Sequence, residues 1–442
     1  MDRPAWPQEL SLWIGTLAQL LDARIAHRLP LLLRGLLFAQ GRRTVSCWLR
    51  AAGVGHQFRP YYYLLGSLGR NAPRVARQLL GIVLNRIAPG ERLLLGLDDS
   101  PTKRAGPHVE GAGIHHNPTP GAAGAKFLYG HVWVTLAWLT RHPTWGAIAL
   151  PLLARLYIRA RDLGGIAPWN RPAFQTKLQQ AADLVDWAVT ALRWTGKSLW
   201  VVADGAYAKR PFLKRALAAG VVVVSRLRRD AALFDLPPRP KTRGRGQPRK
   251  YGRHRISLAK RAAHRQGWTT AEFVLYGRTV TKTFKTFLAT WRPAGGVIRV
   301  VLVKEAHGWA AFFATSAQAS VADILEAVAD RAALEQAFHD IKEVHGAGEQ
   351  QVRHVWANIA AWHLTLWLHT LVELWAWDRP QAQLCDRSAS PWDDPTRRPS
   401  HADRLKALRR QCLRAEFSAT TVDRSIPRKF RQLFQRVVSL VV

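Results

Sequence analysis

Three acidic positions, far apart in the chain, have the residue types that handle phosphoryl chemistry. Asp98-Asp99 follow the apolar run Leu93-Leu-Leu-Gly-Leu97, and Asp204 follows Leu199-Trp-Val-Val-Ala203. Glu335 lies in the stretch 330–342, which holds neither Gly nor Pro and is rich in helix formers. Carboxylates at two strand ends and on one helix, if they converge, form an oxygen cage for divalent ions. Two ions in such a cage clamp a scissile phosphodiester. One activates the attacking water or hydroxyl, and the other stabilises the leaving oxygen. Hard carboxylate donors suit Mg2+, with Mn2+ able to replace it, and argue against zinc.

The elements that must position these groups carry charge of their own. On a helix Arg331, Glu335 and Lys342 are spaced by four and seven residues and return to one face, while Leu334, Ala337 and Ile341 form an apolar stripe. Taken alone, that charge pattern is a solvated surface. The whole chain changes the reading, because 65 Lys and Arg against 30 Asp and Glu give its 442 residues a net charge of +35. Self-repulsion on that scale calls for a polyanionic partner. The basic residues are spread along the chain instead of gathering at an amphipathic end, which points to DNA or RNA and away from a membrane surface. Cys47, Cys385 and Cys412 fit neither a disulfide framework nor a zinc site. The start lacks the order of a signal peptide, and apolar runs such as 144–158 are too short to span a bilayer. The expectation is a soluble cytoplasmic, nucleoid-associated protein.

The length predicts two or three cores. Residues 1–88 read as a helical DNA-binding region, in which Thr44 as an N-cap and a Gly53 turn are compatible with a helix-turn-helix. Residues 89–230 read as the first part of a mixed α/β core. It comprises a strand ending abruptly at Asp98, a loop over 103–124, a hairpin over 129–158, a helix over 174–194 and a strand–helix–strand unit over 198–225. Residues 231–316 read as a basic, β-rich insertion whose Gly/Pro-rich start carries Arg243, Arg245, Arg249 and Lys250 as phosphate followers. Residues 317–378 complete the core with the Glu335 helix and a Trp-rich helix. Residues 379–442 read as a linker followed by basic helices over 401–416 and 425–442. His115, His116 and His339 read as solvated residues, not metal ligands.

In this order the motifs resemble the RNase H-fold DDE transposases of bacterial insertion sequences. The resemblance is to the group whose third acid lies in a Tyr-(x2)-Arg-(x3)-Glu-(x6)-Lys signature. Arg331, Glu335 and Lys342 match it, Gln351-Val-Arg353 follows, and Leu97-Asp-Asp-Ser100 and Val202-Ala-Asp-Gly-Ala-Tyr207 resemble the first two acidic motifs. Val328 stands where that group has Tyr. The resemblance implies an α/β fold, with an RNase H-like mixed-sheet catalytic core interrupted by a β-rich insertion. It implies Asp99, Asp204 and Glu335 as metal ligands, with Asp98 the alternative to Asp99. Arg331, Lys342, Arg353 and Lys103 would contact DNA. The implied activity is metal-dependent cleavage at inverted-repeat ends followed by strand transfer, carried out by at least a homodimer on paired ends. The competing reading, from another class, is a DNA-binding regulator that has lost catalysis, and Val328 is the feature in its favour.

Overall fold

A computed structural model describes residues 6–117, 125–238, 249–385, 387, 390, 392–420, 430 and 434. Apolar residues at helical spacing build the start of the chain as α1 (Gln8–Ala18), α2 (Ala23–Ala26), α3 (Arg28–Phe38), α4 (Val45–Ala51) and α5 (Phe58–Arg86). The Thr44 hydroxyl caps α4 by accepting from the Cys47 amide at 3.2 Å. Gly53, at φ +72°, turns the chain after α4, as its freedom at positive φ allows. Helix α5 takes in the Tyr61–Tyr63 cluster that precedes the expected helix.

The central strands are β1 (Arg92–Lys103), β2 (Gly113–His116), β3 (Phe127–His142), β4 (Gly146–Tyr157), β5 (Ser198–Ala203) and β6 (Val222–Leu227). Helix α6 (Lys177–Leu192) precedes β5, and α7 (Arg210–Ala218) links β5 to β6. The spatial order β4-β3-β1-β5-β6, with β3 antiparallel to both its neighbours and β1, β5 and β6 mutually parallel, is the RNase H-like core. Two expectations need correction. β1 does not end at Asp98. It runs to Lys103, because β3 goes on pairing with it from Thr135 opposite Asp98 to Gly130 opposite Lys103. Pro101 is tolerated there because β5 has already left the other side, so its missing N–H costs no ladder bond. The expected loop over 103–124 also contains β2, which pairs with β3.

The segment after β6 adds β7 (Leu233–Phe234), β8 (Arg255–Ile256), the short α8 (Leu258–Ala263), β9 (Thr269–Leu275), β10 (Arg278–Trp291), β11 (Gly296–Glu305) and β12 (Gly308–Ala314). Its last strand, β12, pairs antiparallel with β6, so these strands continue the core sheet edge to edge.

Next come α9 (Val321–Asp330), α10 (Ala332–Glu343), α11 (Val355–Ala376), α12 (Gln381–Leu384) and α13 (His401–Thr420). The stretch expected as one helix over 330–342 is thus divided, with Arg331 at the joint. Helix α11 is buried nearly all round. Part of its anchorage is a bulge in β4, where Leu136 pairs with Leu153 but Ala137 pairs with Pro151. The carbonyls of the bulged stretch are met from α11: Trp367 Nε1 donates to Leu152 O and Thr370 Oγ1 to Pro151 O, both at 2.8 Å. Trp362 stacks on Trp133 of β3 with ring centroids 5.0 Å apart. Helix α5 approaches α11 so closely that Gly69 faces the Trp356 carbonyl. No helix among the described residues is long and apolar enough to cross a membrane. The helix expected over 425–442 lies outside the described residues but for two positions.

Candidate active site

The parallel pairing of β1 with β5 ends at Leu97 opposite Ala203. The next residue on each strand is an aspartate, so Asp98 and Asp204 emerge at the carboxyl end of the parallel pair. Strand β5 stops because Asp204 turns the chain: its Oδ2 accepts from the Ala206 amide at 3.0 Å and opens the 3-10 turn Gly205–Tyr207.

Successive strand residues point to opposite faces, and this alternation separates the aspartate pair. Asp98 meets the α9–α10 joint. Its Oδ2 lies 2.5 Å from a terminal nitrogen of Arg331, whose other terminal nitrogen donates to Glu335 Oε1 at 2.9 Å. One guanidinium therefore links the two carboxylates. Asp99 meets α6 instead. Lys177, the first residue of α6, reaches its Oδ2 at 2.7 Å, and the Tyr207 hydroxyl donates to its Oδ1 at 2.7 Å. Helix α6 begins there because Thr176 and Gln179 form a capping box.

Other ion pairs fix the joint that carries Arg331. Arg141 of β3 holds Asp330 at 3.0 Å and Glu326 at 3.0 Å, and Arg92 of β1 pairs with Asp323. Glu335, in the first turn of α10, is the most accessible of the acids, with a side chain 61% exposed.

Burial raises the Asp98 carboxyl to about 6, and the neighbouring charges of Asp99 and Asp204 add to the rise while Arg331 opposes it. Burial and the same acids push the Tyr207 phenol well above its ordinary range, so it stays a neutral donor to Asp99. Burial lowers the Lys342 ammonium, with Glu343 opposing.

The arrangement brings together Asp98, Arg331 and Glu335, with Asp204 near enough to act on Asp98. Asp99, favoured in the sequence as the first ligand, is set apart on Lys177 and Tyr207. Arg331 is not free for a phosphate here: it is the ion-pair partner of Glu335. Lys342 has no salt bridge among the described residues. Lys103 is exposed at the end of β1, Arg353 is exposed just before α11, and Arg249 and Lys250 are exposed. Arg243 and Arg245 lie outside the described residues. His115 corrects an expectation: it is buried on β2, beside the Tyr157 ring, while its strand neighbour His116 is exposed. His339 is exposed and lies 3.5 Å from Asp340.

Two residues of the site had no signal as such. Lys177 could be placed at a helix start, but nothing local couples it to Asp99, 78 positions away. Tyr207 was visible only as part of the second acidic motif.

A family model described as DDE superfamily endonuclease matches residues 16–293, more than half of the chain. The chain belongs to this family. No curated protein matches it. As a DDE endonuclease it is of the nuclease and transposase kind, acts on DNA and uses a divalent metal. The match takes in Asp98, Asp99 and Asp204 and ends before Glu335, whose place in the site rests on the Arg331 bridge. The donor set fits a hard cation: Asp98 and Glu335 present carboxylate oxygens, and a side-chain cation already lies between them. In this DDE endonuclease the Arg331 guanidinium lies between the Asp98 and Glu335 carboxylates.

Proposed function

We propose that this DDE endonuclease is a cut-and-paste transposase that binds inverted-repeat ends, cleaves the DNA there and joins the freed 3′ hydroxyls to a target. Asp98, Asp204 and Glu335 are the ligands of two Mg2+ ions in this reading, and Asp99 supports the site through Lys177 and Tyr207. The observation that carries it is the Arg331 guanidinium spanning Asp98 and Glu335. Two carboxylates from a strand and a helix distant in sequence share one cation there, as a site built to hold positive charge between them would.

Bound divalent ions would activate the attacking oxygen and stabilise the leaving one. The protein's own part is positioning. Asp98 and Glu335 offer oxygens from opposite sides of Arg331. Once released from them, Arg331 is a planar donor beside the site that can take a DNA phosphate in two hydrogen bonds. Lys342 follows on the same helix. Lys103, Arg353, Arg249 and Lys250 supply exposed positive charge for the flanking backbone. Pairing of two ends by a homodimer belongs to the same proposal.

The test is a supercoiled plasmid carrying the element's ends, incubated with protein and Mg2+. Glu335→Gln should abolish cleavage and strand transfer while end binding, read by gel shift, persists. A variant that cuts at the normal rate would remove Glu335 from the site. A wild-type protein that binds ends and never nicks them would favour the regulator reading.

A further inference from the structure

Away from the acidic site, three imidazoles meet in the core. His345 follows the end of α10, His369 lies within α11, and His401 opens α13. They are 1%, 3% and 4% exposed. Among the described residues this is the group of three candidate ligands whose ligand atoms all lie within 4.8 Å of one another. Nε2 of His345 and Nε2 of His401 are 2.8 Å apart, and the rings of His369 and His401 are 4.1 Å apart. Glu373, one turn beyond His369, lies 2.6 Å from His401 Nδ1, and its other oxygen is ion-paired with Arg404.

The proton inventory of this cluster is incomplete without a further partner. His401 Nδ1 donates to Glu373, and its Nε2 lies 2.8 Å from Nε2 of His345, a contact with room for a single proton. His369 joins neither of them: its ring makes a backbone hydrogen bond to Ala149, and its Nδ1 is left buried without a hydrogen-bond partner. Burial holds His345 and His369 well below the ordinary imidazole range, in the neutral form that metals bind. A carboxylate fixing the tautomer of a ligating imidazole from its far nitrogen is the usual outer shell of a histidine metal site.

We propose that His345, His369 and His401 bind a borderline divalent ion of the zinc type, with Glu373 orienting His401 and water completing the coordination. Imidazole nitrogens select such an ion over the Mg2+ that suits the acidic trio. Nitrogens about 2.0–2.1 Å from a tetrahedral ion lie roughly 3.3 Å from one another, so the 2.8 Å contact opens by about half an ångström on binding. The ion would pin the end of the Glu335 helix and the start of α13 to α11, joining three segments that the chain brings together from far apart.

The test uses the full chain, stripped with a chelator, exposed to zinc in excess Mg2+ and desalted. Elemental analysis should find one equivalent of zinc, and zinc should raise the Tm of the stripped protein by several degrees. His345→Asn, His369→Gln and His401→Gln should each lose the equivalent and the Tm response. Cobalt loading of the wild type gives a readout independent of the variants, should any of them fail to fold, through the visible absorption of a nitrogen-ligated ion. The proposal is overturned if the wild type retains no zinc and its Tm ignores zinc and chelator, which would make the cluster a hydrogen-bonded network alone. Undiminished zinc in folded variants would overturn it equally.

Discussion

Arg331 and Asp98 form a 2.5 Å ion pair that any cation entering between Asp98 and Glu335 has to break. The guanidinium is thus a competitor of the divalent ion as well as a future phosphate donor. Arg331→Gln should tighten metal binding while impairing cleavage. A charge-assisted hydrogen bond is worth about 1.5–3 kcal/mol net, so the Mg2+ concentration at which the Tm starts to rise should fall by at least about tenfold. The comparison belongs well above pH 6, because removing Arg331 takes away the charge that opposes the rise of the Asp98 carboxyl. An unchanged or higher Mg2+ requirement would show that Arg331 does not compete.

Asp98 should also leave a signature in stability against pH. Its carboxyl is raised from 3.8 to about 6 in the folded protein, chiefly by burial. The folded state therefore holds the proton more tightly than the unfolded chain, and stability falls as pH rises through the window from about 4 to about 6. Asp98→Asn removes this dependence. In metal-free buffer the variant should gain on the wild type across that window by up to about 3 kcal/mol, measured by denaturant unfolding at several pH values. A difference that stays flat from pH 4 to 7 would contradict the burial argument.

The acids were legible because each follows an apolar strand run, a local pattern. What they face was not legible. The continuation of β1 past Asp98 is decided by β3, 27 to 35 positions later in the chain. The separation of Asp98 from Asp99 follows from strand alternation, but which face holds Arg331 depends on how α9 and α10 dock. The joint at Arg331 breaks no propensity rule, since the stretch reads as good helix throughout, and Arg141 and Arg92 hold α9 from the sheet. The three buried histidines were invisible for the same reason, being far apart in sequence and each ordinary alone. Of the basic residues assigned to DNA, Lys103 and Arg353 could be seen to be charged, whereas their exposure is a property of the fold.

Helix α5 offers a test of packing that does not involve the site. A Cβ at Gly69 would lie 1.9 Å from the Trp356 carbonyl oxygen, backbone against backbone, so Gly69→Ala must push α5 off α11. The cost should be about 2 kcal/mol or more. Gly81 lies in the same helix, and a methyl group there would meet nothing within 4 Å. Gly81→Ala should therefore stabilise by up to about 1 kcal/mol through helix propensity. Opposite signs in thermal unfolding are expected, and equal effects would refute the contact.

Lys342 is the cation of the Glu335 helix that stays out of the bridge. It forms no salt bridge among the described residues, and burial draws its ammonium below the usual lysine range, a shift that a neighbouring phosphate would reverse. If it meets DNA, Lys342→Ala should weaken binding to the element's ends and to unrelated duplex alike. It should also reduce the slope of log K against log salt by about 0.9, one phosphate contact's worth of released counterions. Arg228 is the control: it is exposed but already paired with Asp230 at 2.9 Å, so Arg228→Ala should leave the slope where it was. Fluorescence anisotropy across a salt series reads both. An unchanged slope for Lys342→Ala would remove this residue from the DNA interface and leave it a half-buried lysine serving α10 alone.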